Sequence, residues 1–160
     1  MLQSPLELEG ADQAKVSVRS LSAWFGSTRV LRAVSFGIAA HEATAVVGPS
    51  GCGKSTFVRC LNRMHELAAD ARVEGEIRLD GLDVYSAQTD PVLLRRRVGM
   101  VFRRPNPFPA MSVQQNVLAG LALTHSVSLV DPEQAVETAL RQAELWDEVK
   151  DRLDAPGASL

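Results

Sequence analysis

Nine residues limit this chain more than any other feature: Gly48-Pro49-Ser50-Gly51-Cys52-Gly53-Lys54-Ser55-Thr56. They fit G-x-x-x-x-G-K-[S/T] and follow the apolar run Ala43-Thr44-Ala45-Val46-Val47. Behind them Phe57, Cys60, Leu61 and Met64 fall at i, i+3, i+4 and i+7. The run predicts a strand buried on both faces and the stripe predicts a helix. Glycines let such a loop wrap until successive backbone N–H groups point inward at phosphate oxygens. The helix brings its positive dipole end to the same place. Lys54 has the reach for β- and γ-phosphates, and the Ser55 hydroxyl is placed to ligate Mg²⁺. A random chain of this length matches the pattern about 0.5% of the time, and a plain turn capping a helix would not need the flanking strand and stripe. The motif therefore predicts nucleotide binding.

Composition narrows the setting. At 160 residues, 46% hydrophobic and 22% charged, the chain suits one globular domain with a core of its own. Seventeen Lys and Arg against nineteen Asp and Glu leave a net charge of −2, so no basic field draws it to nucleic acid. The longest apolar runs, such as residues 117–123, fall far short of the roughly 20 residues of a membrane span. The start, Met1-Leu2-Gln3-Ser4-Pro5, lacks the regions of a signal peptide. Cys52 and Cys60 make neither a disulfide framework nor a metal pattern, so a reducing cytoplasm is expected.

Around the motif the pattern is mixed. Residues 1–14 predict a flexible tail. Alternation predicts strands over Lys15–Leu21 and Val73–Leu79, the second closing on an Asp80-Gly81 turn. Between them, after a turn at Gly26-Ser27, Val30–Ala39 predicts a strand with Val34, Phe36 and Ile38 on one face. Residues 92–97 predict a short helix, and Val98–Phe102 a second buried strand. Beyond the proline-rich 104–109 the pattern is helical throughout, with Asp131 before Pro132 as an N-cap. Val136, Ala139, Leu140 and Ala143 form the apolar face behind it.

Four segments then carry a resemblance. The loop runs into Phe57-Val58-Arg59-Cys60-Leu61-Asn62-Arg63-Met64, and Ala71-Arg72-Val73-Glu74-Gly75-Glu76-Ile77 follows. Next come Leu94-Arg95-Arg96-Arg97-Val98-Gly99-Met100-Val101-Phe102 and Pro105-Asn106-Pro107-Phe108-Pro109 with Met111-Ser112. Together they resemble the ATP-binding subunits of ABC transporters, in particular the phosphate-importer (PstB) type to which the PNPFP run points. The resemblance implies an α/β fold: a P-loop NTPase (RecA-like) core with an antiparallel β subdomain over 15–110, and the start of an α-helical subdomain over 111–160. It implies ATP and Mg²⁺ as cofactors, with Gly48, Pro49, Ser50, Gly51, Cys52, Gly53, Lys54, Ser55 and Thr56 on the nucleotide and Ser55 on the metal. Phe25, before Gly26, matches the aromatic that stacks on adenine, with Trp24 beside it as the alternative. Membrane permease subunits and a second ATPase subunit are the implied partners, at the cytoplasmic face of the cell membrane.

Two departures from the family pattern stand out. Arg103 occupies the position of the Q-loop glutamine; arginine offers donors only and cannot ligate a metal. It either swings into solvent or weakens Mg²⁺ use and coupling. The second departure is extent. The family's signature motif, its Walker B strand with the catalytic glutamate, and its switch histidine find no match before Leu160. His41, His65 and His125 stand in other contexts and are expected to be packed or exposed. The expectation is a fragment, a decayed gene or a shortened piece that binds ATP with negligible turnover. A working ATPase subunit and a non-catalytic nucleotide-binding remnant are the two readings, while a small P-loop kinase or GTPase lacks its own motifs here. Strands left without neighbours would expose an apolar sheet edge.

Overall fold

The computed structural model describes residues 14–123 and 131–159; residues 1–13 of the expected 1–14 tail, and His125, lie outside them. The described residues form two compact units, which divide between Met100 and Val101.

The first unit is built on an antiparallel sheet of strands β1 (Val16–Phe25), β2 (Thr28–Ile38), β3 (Ala71–Leu79) and β4 (Leu82–Asp83), in the order β2-β1-β3-β4. β1 and β2 join through Gly26-Ser27, with Phe25 opposite Thr28. β3 and β4 join through Asp80-Gly81, where positive φ angles of 49° and 79° give the twist that a two-residue hairpin needs. Asp80 also accepts from Lys15 at 2.9 Å and from Arg97 at 2.5 Å. The Lys15 hydrogen bond first, and Arg97 with it, hold this carboxyl below the usual carboxylate range.

The alternation foreseen over Lys15–Leu21 continues to Phe25, but slips in phase on the way. Register against β3 shifts between Arg19 and Ser22, and Ser20 takes φ 49°. The bulge returns Leu21 and Ala23 to the buried side after Val18. Gly75 (φ 99°) faces this bulge, and a Cβ there would lie 2.6 Å from the Ser20 carbonyl oxygen.

Helix α1 (Lys54–Leu61) lays Phe57 and Cys60 on the sheet, against a core that includes Val18, Leu21, Ile77 and Leu79. A 3-10 turn, His65–Leu67, follows it. Helix α2 (Pro91–Arg97) starts one residue before the expected 92–97, because Asp90 caps it by accepting from the Val92 N–H at 2.7 Å. Leu94 is its buried residue.

Two expected strands are absent from the described residues. Ala43–Val47 and Val98–Phe102 make no ladder, and Val47 and Val101 are 89% and 99% exposed. A parallel strand exists only through hydrogen bonds to neighbours on either side. No such neighbour stands among the described residues, so apolar sequence alone does not make these segments extend and bury.

The second unit holds helices α3 (Val113–Leu123), α4 (Pro132–Gln142) and α5 (Trp146–Val149). Val113, Val136, Leu140 and Val149 are its core, with Trp146 and Leu153 packed on them. Asp131 caps α4 with Pro132 at its first position, as foreseen. Ala139 and Ala143, expected on the buried face, are exposed: the stripe that packs is the narrower Val136–Leu140 pair. None of the described helices is long and apolar enough to cross a membrane.

Candidate functional site

The loop over Gly48–Gly53 sits between β2 and α1 in the first unit. Gly53, the residue before α1, takes φ 100°, and a Cβ on it would stand 2.8 Å from Leu31 Cδ2 and 3.3 Å from the Val30 carbonyl oxygen. Its close approach fixes the loop on β2. Lys54 folds back over the loop: its Nζ donates to the Gly48 carbonyl at 2.7 Å and to the Pro49 carbonyl at 2.6 Å. The ammonium is thereby parked at the rim of a wrapped main chain. Cys52 Sγ stands 3.7 Å from the same Nζ, and Cys52 is exposed. Ser55 is exposed and Thr56 buried.

The start of α1 differs from those of the other long helices. α2 and α4 begin on Asp90 and Asp131, whose carboxylates accept from the second residue of each helix. α3 begins on a capping box, in which Ser112 Oγ accepts from the Gln115 N–H at 3.2 Å and Gln115 Oε1 from the Ser112 N–H at 2.9 Å. α1 begins on Gly53 with no side-chain cap and no acidic residue in its first turn. Its first N–H groups are left for an acceptor from outside the chain, and the helix dipole favours an anion there. An exposed Ser55 hydroxyl beside them is an oxygen donor of the kind Mg²⁺ takes, so the residues present fit a metal–triphosphate pair.

At the hairpin end of β1, two residues beyond Ala23, which pairs with Leu31, Phe25 is half-buried and Trp24 buried. The Trp24 ring is engaged by the guanidinium groups of Arg72, 4.1 Å from its centroid, and Arg29, 5.1 Å away. Phe25 meets the His65 ring edge-on at 4.5 Å. His65 is fully buried and His41 exposed, within the packed-or-exposed expectation for both. No group of three or more His, Cys, Asp or Glu side chains comes together as a metal site among the described residues.

Arg103 is exposed, in the second unit. In the same unit Asn116 gathers the proline-rich segment. Its Oδ1 accepts from the Phe108 N–H at 2.7 Å, and its Nδ2 donates to the carbonyls of Phe108, Met111 and Ser112. A cleft of about 560 Å³ between α3 and α4 is lined by Val117, Ala135 and Thr138 among others, and no residue of the Gly48–Thr56 motif lines it.

Comparison with known proteins follows the same lines. The ABC transporter family model matches residues 31–160, most of the chain. The chain belongs to the ABC transporter family. Among curated ABC relatives, the phosphate import ATP-binding protein PstB of Leifsonia xyli is 53% identical over 147 residues, covering 91% of this chain and 57% of the relative. PstB of Rubrobacter xylanophilus is 53% identical over 92% of this chain and 51% of its own length, and that of Streptomyces coelicolor 50% identical over 91% and 57%. The chain thus spans just over half the length of the curated relatives it matches. Among solved structures, a bacterial Atm1-family ABC exporter with ATP bound is similar at a TM-score of 0.56 and 30% identity, over 68% of this chain and 18% of the exporter.

Three features of this ABC chain escaped the sequence. The capping box at Ser112 was legible as S-x-x-Q. His65 carried no signal because its partner Trp24 lies 41 residues away, and Asn116 carried none although its partners lie 4 to 8 residues away, because no turn or cap pattern marks them.

Proposed function

We propose that this chain is the nucleotide-binding part of an ATP-driven importer of inorganic phosphate. The observation that carries the proposal is the uncapped start of α1 at Gly53, with Lys54 folded across the loop beside it. In this reading the main-chain N–H groups of Gly51–Ser55 take the phosphate chain of ATP and Lys54 leaves its two carbonyls for the β- and γ-oxygens. Ser55 holds Mg²⁺, which neutralises phosphate charge when bound. The engagement of Trp24 by two arginines supports Phe25 as the platform for adenine. Phosphate as cargo, permease subunits and a second ATPase subunit as partners, and a place at the cytoplasmic face are drawn from likeness to the PstB proteins.

These 160 residues contain no segment resembling the carboxylate-bearing strand that activates water in the family. We therefore assign them ATP binding without steady turnover, the working step belonging to a complete subunit. Calorimetric titration with Mg-ATP tests the proposal: binding is expected, and Lys54→Ala is expected to abolish it. Equal binding by Lys54→Ala would overturn it. Hydrolysis by the purified 160-residue chain above a Lys54→Ala control would overturn the assignment of binding alone.

A further inference from the structure

The His65 imidazole is 1% exposed, and its Nε2 lies 2.9 Å from the Trp24 carbonyl oxygen. A carbonyl only accepts, so Nε2 carries the proton and Nδ1 is left as a bare lone pair. That Nδ1 is buried without a hydrogen-bond partner among the described residues. A half-satisfied polar ring is a costly way to fill a core, since an apolar side chain of like size leaves no orphan acceptor. What the imidazole does supply is one bond to the β1 backbone and one ring contact. Its centroid lies 4.5 Å from that of Phe25, at an interplanar angle of 73°. The pair is edge-on, so His65 takes at most one face of Phe25, and Phe25 is half-buried.

The segment bearing His65 is held firmly. It leaves α1 at Asn62, and the Arg95 guanidinium donates to the carbonyls of Asn62 and Arg63. The Met64 N–H returns to the Arg59 carbonyl at 2.9 Å. Across from it, the Gly26 N–H donates to the Asp70 carbonyl at 2.9 Å, tying down the hairpin tip. One short stretch of chain therefore runs from the phosphate loop through α1 to the ring against Phe25.

We infer that His65 is a positioning residue for the base: its bond to the Trp24 carbonyl and its edge-on contact hold the Phe25 ring in the orientation that receives adenine. The inference rests on the assignment of Phe25 as the adenine platform. It is tested by titrating the protein with Mg-ATP and with inorganic tripolyphosphate, which carries the phosphates and no base. Phe25→Ala and His65→Leu are each expected to weaken ATP about two- to tenfold and to leave tripolyphosphate unchanged. His65→Phe, which keeps an aromatic edge but loses the bond to the Trp24 carbonyl, is expected to restore ATP binding in part, and His65→Leu is expected to add no loss on a Phe25→Ala background. If thermal melting shows His65→Leu unfolded, His65→Asn makes the same comparison with a donor retained. Equal losses for both ligands would reduce His65 to a core residue and overturn the inference. So would unchanged ATP binding in the His65 variants while Phe25→Ala weakens it. Unchanged ATP binding in Phe25→Ala would instead overturn the platform assignment, and the inference with it.

Discussion

Leu31 Cδ2 lies 2.8 Å from the point where a Cβ on Gly53 would stand. Gly53 also holds φ 100°, a conformation that costs an L side chain about 1–2 kcal/mol. Gly53→Ala is therefore expected to lose about 2 kcal/mol of stability and to displace the loop from β2. Adding Leu31→Ala should relieve the clash without relieving the backbone cost. Urea unfolding and ATP titration of the single and double variants check this; a Gly53→Ala chain as stable and as tight-binding as its parent would contradict it.

Gly75 answers a different constraint. A Cβ there meets main chain, 2.6 Å from the Ser20 oxygen and 2.8 Å from the Arg19 oxygen, and main chain does not swing aside. Gly75→Ala is expected to cost about 3 kcal/mol or more, appearing as a lowered melting temperature. The bulge, not the motif, is what this glycine serves, so ATP affinity of the folded fraction should be unchanged.

The two thiols should part company. Cys52 is exposed in the phosphate loop, whereas burial pushes the Cys60 thiol up from 9.0 to about 11. Maleimide should modify Cys52 alone in the native protein, and saturating ATP should slow that reaction. Because the folded pKa of Cys60 lies above its unfolded value, its contribution is fully present below pH 9.0 and is lost as the pH climbs through about 11. About 3 kcal/mol is at stake across that window. Melting curves at pH 8 and pH 10.5 should show the loss, and Cys60→Ala should reduce it. Burial raises Tyr85 as well, so part of the slope should remain.

Arg103 lies exposed where the family resemblance puts a glutamine. On the function proposed above, Arg103→Gln in a complete transporter is expected to raise Mg²⁺-dependent ATP hydrolysis coupled to transport, since an amide oxygen can ligate where a guanidinium cannot. An unchanged rate would mean that Arg103 rests in solvent and the loop does without it.

Asn116 accepts one hydrogen bond from the backbone and donates three to it, around Phe108 and the start of α3. Asn116→Ala is expected to cost about 1–2 kcal/mol and to expose residues 105–110 to limited proteolysis. Cleavage no faster than in the parent would show that the prolines alone set the segment's path.

The legible parts of this protein are those whose physics is local. Gly48–Thr56 announced a glycine-rich loop running into a helix because that pattern lies within nine positions, and Asp131-Pro132 announced a helix start for the same reason. The Asp80-Gly81 turn was equally plain from two adjacent residues. Reading failed where apolar composition was taken as enough. Ala43–Val47 and Val98–Phe102 have the composition of buried strands yet stand unpaired among the described residues. Ala139 and Ala143 kept the helical period but are not covered.

By itself the sequence determined the glycine-rich loop, the helix behind it, the hairpin turns and the family. Only the tertiary structure decided that β1 slips at Ser20, that Trp24 is taken by two arginines, and that His65 stands against Phe25. The division has one physical cause. Turn and cap chemistry acts between residues a few positions apart, where a linear pattern records it. Strand pairing and ring contacts join residues tens of positions apart, and these exist only once the chain has folded back on itself.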